Sequence, residues 1–79
     1  MRATLLVRPK AGILDPQGEA VGASLRQLGF AVSEARVGRV VDVELALADP
    51  DQARGELERM CEQLLANPLI ESFDIQIRA

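Results

Sequence analysis

Few side chains in this sequence are of a kind that could carry out catalysis. The chain has no histidine, tyrosine or tryptophan, and its single cysteine is Cys61. A cysteine nucleophile needs a neighbouring base or cation to form the thiolate, and Cys61 instead falls at helical spacing with Leu57 and Leu64. The sequence therefore predicts a buried structural thiol and leaves carboxylates, lysine and serine as candidates for acid–base or nucleophilic chemistry.

Two other groups of residues could bind an ion. Asp42 and Glu44 share one face of a predicted strand, where they could hold a cation, but no third cluster of ligands accompanies them. Lys10, Gly12 and Gly18 lie at a helix start that could hold an anion, but the glycines do not form a phosphate-loop pattern. A solvated strand face and a contact loop are the favoured interpretations. We therefore predict no catalytic residue and no cofactor or metal site in this chain.

The length of the chain limits how stable it can be alone. Its 79 residues predict a single domain over 1–79, and a chain of this size buries only about 60 to 65% of its unfolded surface. Since one cysteine cannot form a disulfide within the chain, oligomerisation is the predicted source of additional stability. We expect a homodimer or a tetramer, formed through Leu6 and the outer face of the third predicted strand.

Charge and hydropathy exclude two classes of partner. The chain has 9 Lys and Arg against 12 Asp and Glu, a net charge of −3, with both signs scattered along it. Such a chain is not expected to bind nucleic acid or an anionic membrane. The longest apolar run near the N-terminus, Ala3–Val7, is far too short for a membrane span or a signal peptide. We therefore expect a soluble cytoplasmic protein.

Alternation and capping residues predict six elements of secondary structure. Apolar residues alternate in four segments, whereas two segments that begin with an Asp-Pro pair have apolar residues at helical spacing. Asp15 and Asp49 are the predicted caps of the two helices, and Gly38 with Arg39 is the predicted turn of a hairpin. The predicted elements are a strand at 3–8, a helix at 16–28, strands at 30–37 and 40–47, a helix at 50–66 and a strand at 72–78.

The order of these elements, β-α-β-β-α-β, predicts an α+β fold. It is the split arrangement of ferredoxin-like domains, with a four-stranded antiparallel sheet and both helices on one face. RNA-binding domains share this order, but they stack bases on strand aromatics, and here Phe30 and Phe73 are the only aromatic residues. A nucleic-acid-binding function is therefore not expected.

The other predicted elements are arranged around the segment Arg8–Gly18. Its eleven residues contain two prolines, two glycines and three charged residues, a composition typical of a loop that leads into a helix. Asp15 is placed to accept hydrogen bonds from the first free amides of the helix, and Pro16 has no N–H to leave unpaired.

Four runs of this sequence resemble the PurS family of phosphoribosylformylglycinamidine synthase subunits. They occur in the expected order and spacing over nearly the whole chain, at 9–18, 28–30, 36–39 and 64–68. Arg39 stands where the family more often has lysine, so the charge is kept. The resemblance implies a small non-catalytic subunit of de novo purine biosynthesis.

The resemblance also implies a division of labour between subunits. A PurL-type synthetase uses ATP to convert formylglycinamide ribonucleotide into the amidine, and a PurQ-type glutaminase releases ammonia from glutamine. The PurS protein, itself an oligomer, bridges the two and supports ammonia transfer. ATP, Mg²⁺ and glutamine would then bind to the partners, and no cofactor to this chain. Lys10, Asp15, Arg36 and Arg39, which lie in or beside turns, are the candidate contacts with these partners.

An alternative is an amino-acid-sensing regulatory domain of the ACT type. That family resembles this chain in its β-α-β-β-α-β order and in a Gly-aliphatic-Leu sequence after the first strand, here Gly12, Ile13 and Leu14. The segment 15–18 departs from that family, because it delays the helix that follows at once in an ACT loop. Binding of a free amino acid to the isolated chain would distinguish the two hypotheses.

Overall fold

The structure, a computed structural model, describes residues 1–78 and contains three strands and two α-helices. In chain order the elements are β1 (Arg2–Pro9), α1 (Pro16–Gln27), β2 (Arg39–Glu44), α2 (Pro50–Met60), a π-helical turn (Cys61–Leu65) and β3 (Glu71–Arg78). Within these residues, no helix combines the length and the apolar character needed to cross a bilayer.

β1 is the central strand of an antiparallel sheet with the order β2-β1-β3. Its side chains alternate between the two faces, so that Ala3, Leu5 and Val7 lie together on the inner face and are buried. Leu5 pairs there with Val41 of β2. The strand ends at Pro9, whose ring nitrogen has no hydrogen to donate to a further ladder bond.

The core lies between the inner face of the sheet and α2. Leu57 of α2 and Cys61 of the π-helical turn are fully buried in it, and burial of one leucine side chain contributes roughly 1.5 to 3 kcal/mol. The predicted burial of Cys61 is confirmed, and burial together with the neighbouring Glu62 charge raises the pKa of its thiol. The outer strands pack around this core with residues that are only half-buried: Val41, Val43, Phe73, Ile75 and Ile77.

The prediction of a four-stranded sheet is wrong, because residues 30–37 form no strand and the sheet has three. The ladder between β1 and β2 cannot continue into this segment for two physical reasons. Pro9 has no N–H to offer a partner strand. The Val37 amide, in turn, donates to the Asp15 carboxylate at 2.9 Å, so it is not available to a strand.

The predicted hairpin at Gly38 and Arg39 is also wrong. The structure has no turn at these residues, and Arg39 begins β2, which pairs with β1 and not with the preceding segment. Gly38 lies so close to β1 that an added Cβ would come within 2.2 Å of the Val7 carbonyl oxygen. The glycine is therefore required by a close approach of two backbones and not by a reversal of the chain.

α1 does not pack on the sheet as predicted; it lies against the extended segment that precedes β2. Gly18 and Gly22 are its buried residues, and a Cβ added to Gly18 would come within 2.5 Å of the Ala35 carbonyl oxygen. The apolar side of the helix is uncovered, since Val21 and Leu28 are 43% and 73% exposed. The chain is accordingly extended, with a radius of gyration of 15.6 Å, against about 12 Å for a compact chain of this length.

Both helices start at the predicted caps, whereas the second helix ends differently from its prediction. Asp15 and Asp49 cap α1 and α2, and Gly29 has the left-handed φ of +96° that ends α1. The second helix does not remain α-helical to residue 66, because it changes at Cys61 into a π-helical turn. The Ala66 amide closes that turn by donating to the Cys61 carbonyl oxygen at 2.9 Å.

We predict opposite effects for alanine at two glycines. Gly38→Ala should destabilise the fold, because its methyl group would meet main-chain atoms of β1 that cannot easily move aside. Gly55→Ala is the matched control: nothing lies within 4 Å of its added Cβ in α2. It should stabilise the fold by roughly 1 kcal/mol through helix propensity. Urea unfolding measures both effects, and equal midpoints would contradict the close approach of Gly38 to β1.

Candidate interaction site

The loop between β1 and α1 is fixed to the loop before β3. The Lys10 amide donates to the Ile70 carbonyl oxygen at 2.8 Å, and the Lys10 ammonium donates to the Pro68 carbonyl oxygen at 2.6 Å. Within the first loop, the Ile13 amide donates to the Lys10 carbonyl oxygen, and Gly12 has a φ of +82°, which favours glycine. Lys10 therefore holds two loops together at one end of the molecule.

Asp15 joins the start of α1 to the segment before β2. Its Oδ1 accepts a hydrogen bond from the Gly18 amide at 3.0 Å, as a helix cap does, and its Oδ2 accepts one from the Val37 amide at 2.9 Å. The bond from Val37, then that from Gly18 and the charge of Arg36 outweigh the effect of burial and hold the pKa of Asp15 below its usual range. The carboxylate is therefore ionised at neutral pH, with both oxygens hydrogen-bonded.

Arg36 fastens the same segment to the end of β1. Its Nη2 donates to the carbonyl oxygens of Lys10 and Pro9, at 2.8 Å and 3.2 Å. Its Nη1 lies 3.5 Å from the Glu34 carboxylate, an exposed ion pair that contributes little. Two successive residues therefore bind the loop between β1 and α1: Arg36 through its side chain and Val37 through its amide.

Arg39 connects β2 to two other elements. Its Nη1 and Nη2 donate to the two carboxylate oxygens of Glu71 at 2.8 Å and 2.9 Å, and Nη2 also donates to the Leu65 carbonyl oxygen at 2.7 Å. The Asn67 amide donates to the same carboxylate at 2.8 Å. The bonds from Arg39 and then Asn67 hold the pKa of Glu71 below its usual range. Such a bidentate pair fixes both position and orientation.

The four residues predicted from the sequence, Lys10, Asp15, Arg36 and Arg39, all lie around the C-terminal end of β1. Each is hydrogen-bonded within the chain. In the described part of the chain, no three His, Cys, Asp or Glu side chains are grouped as a metal site requires. The four side chains hold two loops together and shape the surface that these loops form. Such a surface is suited to contact with another molecule. Contact between these four residues and a partner protein stays a prediction.

Glu71 is the residue of this site that the sequence did not indicate. The register places Arg39 opposite Val7 and Glu71 opposite Pro9, so the ion pair spans the end of the central strand. Opposite charges at neighbouring positions on the two outer strands are the signal that could have revealed it. That signal depends on knowing that β2 and β3 both flank β1, and the sequence analysis predicted no order of the strands in the sheet.

We predict that Asp15→Asn lowers stability more than Asp49→Asn does. The Gly18 and Val37 amides donate to different oxygens of Asp15, and asparagine replaces one of these oxygens with an NH2 group, which cannot accept. Among the described residues, Asp49 accepts with one oxygen, from the Asp51 amide of its own helix. Urea midpoints at neutral pH measure the stability. Hydrogen exchange of the Val37 amide should become faster in Asp15→Asn alone, and unchanged exchange would contradict the role of Asp15 in joining the two segments.

The effect of Asp15 should also depend on pH. Because its pKa is lowered in the folded state, the stability that its charge contributes is complete at neutral pH and is lost as the pH falls below about 4, through the folded pKa. The urea midpoint of Asp15→Asn should therefore fall less steeply than that of the unmodified chain over this range. Parallel curves would show that ionisation of Asp15 does not stabilise the fold.

A family model and curated relatives match this chain over nearly its whole length. The model, described as PurS, phosphoribosylformylglycinamidine (FGAM) synthase, matches residues 2–79. The phosphoribosylformylglycinamidine synthase subunit PurS of Synechocystis sp. is 40% identical over 79 residues, which are 99% of this chain and 77% of the relative.

Solved structures show the same likeness in three dimensions. The structure of Bacillus subtilis PurS matches with a TM-score of 0.88 at 30% identity, over 99% of this chain and 98% of that one. A chain of the PurLQS structure from Thermotoga maritima matches with a TM-score of 0.86 at 26% identity, over 95% and 93%. Because the family model covers residues 2–79, this chain belongs to the PurS family of FGAM synthase.

Proposed function

We propose that this chain is the small PurS subunit of FGAM synthase and holds a PurL-type synthetase and a PurQ-type glutaminase together in de novo purine biosynthesis. The observation that carries the proposal is the likeness of 95% of the chain to a chain of the PurLQS structure from Thermotoga maritima, at a TM-score of 0.86. On this proposal, the chain supports the passage of ammonia from the glutaminase to the synthetase and acts in the cytoplasm.

The side chains of the described residues support a role in assembly. The thiol of Cys61 is buried and its pKa is raised, which disfavours the reactive thiolate. Arg36 and Arg39 are bound to carbonyl oxygens and to Glu71 within the chain. On this proposal ATP, Mg²⁺ and glutamine bind to the partner subunits. No observation within residues 1–78 favours the alternative of an ACT-type amino-acid-sensing domain.

A second copy of the chain is a further proposed partner, and α1 is the element that it covers. Val21, Leu25 and Leu28 form the apolar side of α1, and Leu28 is the most exposed of them. Burial of each such side chain contributes roughly 1.5 to 3 kcal/mol, which a chain of this size needs. Leu6, the contact predicted from the sequence, offers less to a second copy because it is already half-buried in the sheet.

We predict that the chain sediments as a dimer or tetramer and that Leu28→Glu shifts it towards the 8.6 kDa monomer. A charge placed on the apolar side of α1 would have to be buried in the interface. Gln27→Glu adds the same charge at an exposed position about 100° around the helix from Leu28, away from the apolar side, and should leave the oligomer intact. Analytical ultracentrifugation at micromolar concentration measures this, and equal distributions for the two variants would refute the assignment of the interface to α1.

We further predict that the purified chain has no glutaminase, ATPase or ligase activity, while glutamine-dependent synthesis by its partner subunits fails without it. The reason is that the chain holds no activated nucleophile but provides the bridge between the subunits. Synthesis from ammonia by the synthetase subunit is the control, since it does not require the glutaminase and should depend less on this chain. Full glutamine-dependent activity of the two partners alone would contradict the proposed function.

A further inference from the structure

Residues 34–38 are extended, but they form no strand ladder within the chain. An extended backbone points the N–H and C=O groups of alternate residues to opposite sides. The Ala35 carbonyl oxygen lies against a buried glycine of α1, and the Val37 amide donates to the carboxylate that caps this helix. The groups of Glu34 and Arg36 therefore point away from α1. Within residues 1–78, neither of these two amides donates to another backbone group.

β2 has an open edge that faces away from β1. It pairs with β1 over Arg39–Glu44, and no other strand of the described residues lies beside it. The open edge and residues 34–37 belong to one continuous stretch of chain, because the backbone passes Gly38 without a turn. The segment therefore cannot fold back onto the edge of its own β2. Two rows of unpaired backbone groups remain, and such rows are templates for pairing with another chain.

A second copy can pair with both of these rows at once. If a twofold axis passes near Gly38, residues 34–37 of each copy run antiparallel along β2 of the other copy. Every contact then forms twice, since a twofold interface uses the same surface of both copies. A strand from an unrelated protein would cover one row and leave the other open. The presence of two open rows in one continuous stretch of chain therefore favours a second copy as the occupant.

α1 accompanies the segment in this arrangement. Asp15 and the two buried glycines of α1 hold the helix against residues 35–37. The exposed apolar side of α1, which includes Leu28, then lies next to the sheet of the other copy. There Val41 and Val43 of β2 are only half-buried, so both sides of the contact have apolar surface to cover. The elongated shape of the single chain, 48 × 25 × 14 Å, fits a molecule that packs part of itself on a second copy.

We propose that residues 34–37 of one copy add as a strand to the open edge of β2 in a second copy, and that the second copy returns the same contact. Exchange of an identical element between copies is a low-cost route to a dimer. This inference rests on the proposed function, which gives a second copy as the partner that covers α1. It adds the surface of the second copy on which α1 and the segment lie.

Hydrogen exchange of single amides, followed by NMR, tests this pairing in the unmodified chain. The amides of Glu34 and Arg36 are not bonded to the backbone of their own chain, so protection of them must come from another molecule. Both should exchange at least roughly tenfold more slowly in the oligomer than in Leu28→Glu, the variant expected to dissociate it. If α1 alone formed the interface, the two amides would exchange equally fast in both samples.

Proline at position 34 tests the same contact through the affinity of the oligomer. Glu34→Pro removes the free amide, and Glu34→Ala is the matched control, because it loses the same carboxylate but keeps the amide. That carboxylate contributes little, since its ion pair with Arg36 is long and its own side chain is 70% exposed. The dissociation constant from analytical ultracentrifugation should rise roughly tenfold more for proline than for alanine, because each dimer loses the bond twice.

The outcomes separate this inference from the proposed function. An unmodified chain that stays monomeric at micromolar concentration would refute the second copy as a partner, and the inference with it. An oligomer without protection of the Glu34 and Arg36 amides, or equal dissociation constants for Glu34→Pro and Glu34→Ala, would show that the inference alone is wrong. Protection that appears only after a synthetase or glutaminase subunit is added would identify that subunit as the occupant and would also overturn it. If Glu34→Pro does not fold, hydrogen exchange of the unmodified chain decides.

Discussion

The carboxylate of Asp15 is the contact on which the arrangement of this chain depends. α1 makes no substantial contact with the sheet, so its position is set by the segment before β2, against which its two buried glycines lie. Asp15 joins these two parts, because one oxygen binds the first turn of α1 and the other binds the Val37 amide. Arg36, one residue earlier, fixes the same segment to the end of β1. The placement of a whole helix thus depends on a few polar contacts and not on a packed core.

Local signals in the sequence were sufficient to predict those helices and strands whose conformation is decided by residues close to them in the chain. The Asp-Pro pairs predicted both helix starts, and alternation predicted β1 and β3. Residues 30–37 show the limit of that argument, since alternation predicts an extended backbone but not a partner for its hydrogen bonds. The Val37 amide is instead taken by a carboxylate 22 residues earlier in the chain. A contact between such distant residues leaves no trace in local periodicity.

The candidate site was predictable in its residues but not in their partners. Lys10, Asp15, Arg36 and Arg39 stand out because charged residues beside glycine and proline mark loops. The groups they bind are mostly backbone carbonyl and amide groups, as with Lys10 and the Pro68 carbonyl oxygen. Every residue type offers the same carbonyl group, so the sequence carries no signal for these contacts. The residues predicted as partner contacts therefore also hold the loops of this chain in place.

The distribution of apolar residues links folding of this chain to its assembly. The fully buried residues lie on β1, α2 and the turn after it, while apolar residues of α1 remain exposed. A small domain has a net stability on the order of 5 to 15 kcal/mol, and a few apolar side chains covered by a partner contribute a comparable amount. Binding to the folded form alone raises its stability with the concentration of the partner. A chain that leaves apolar residues of α1 exposed in this way is expected to be most stable when a partner covers them.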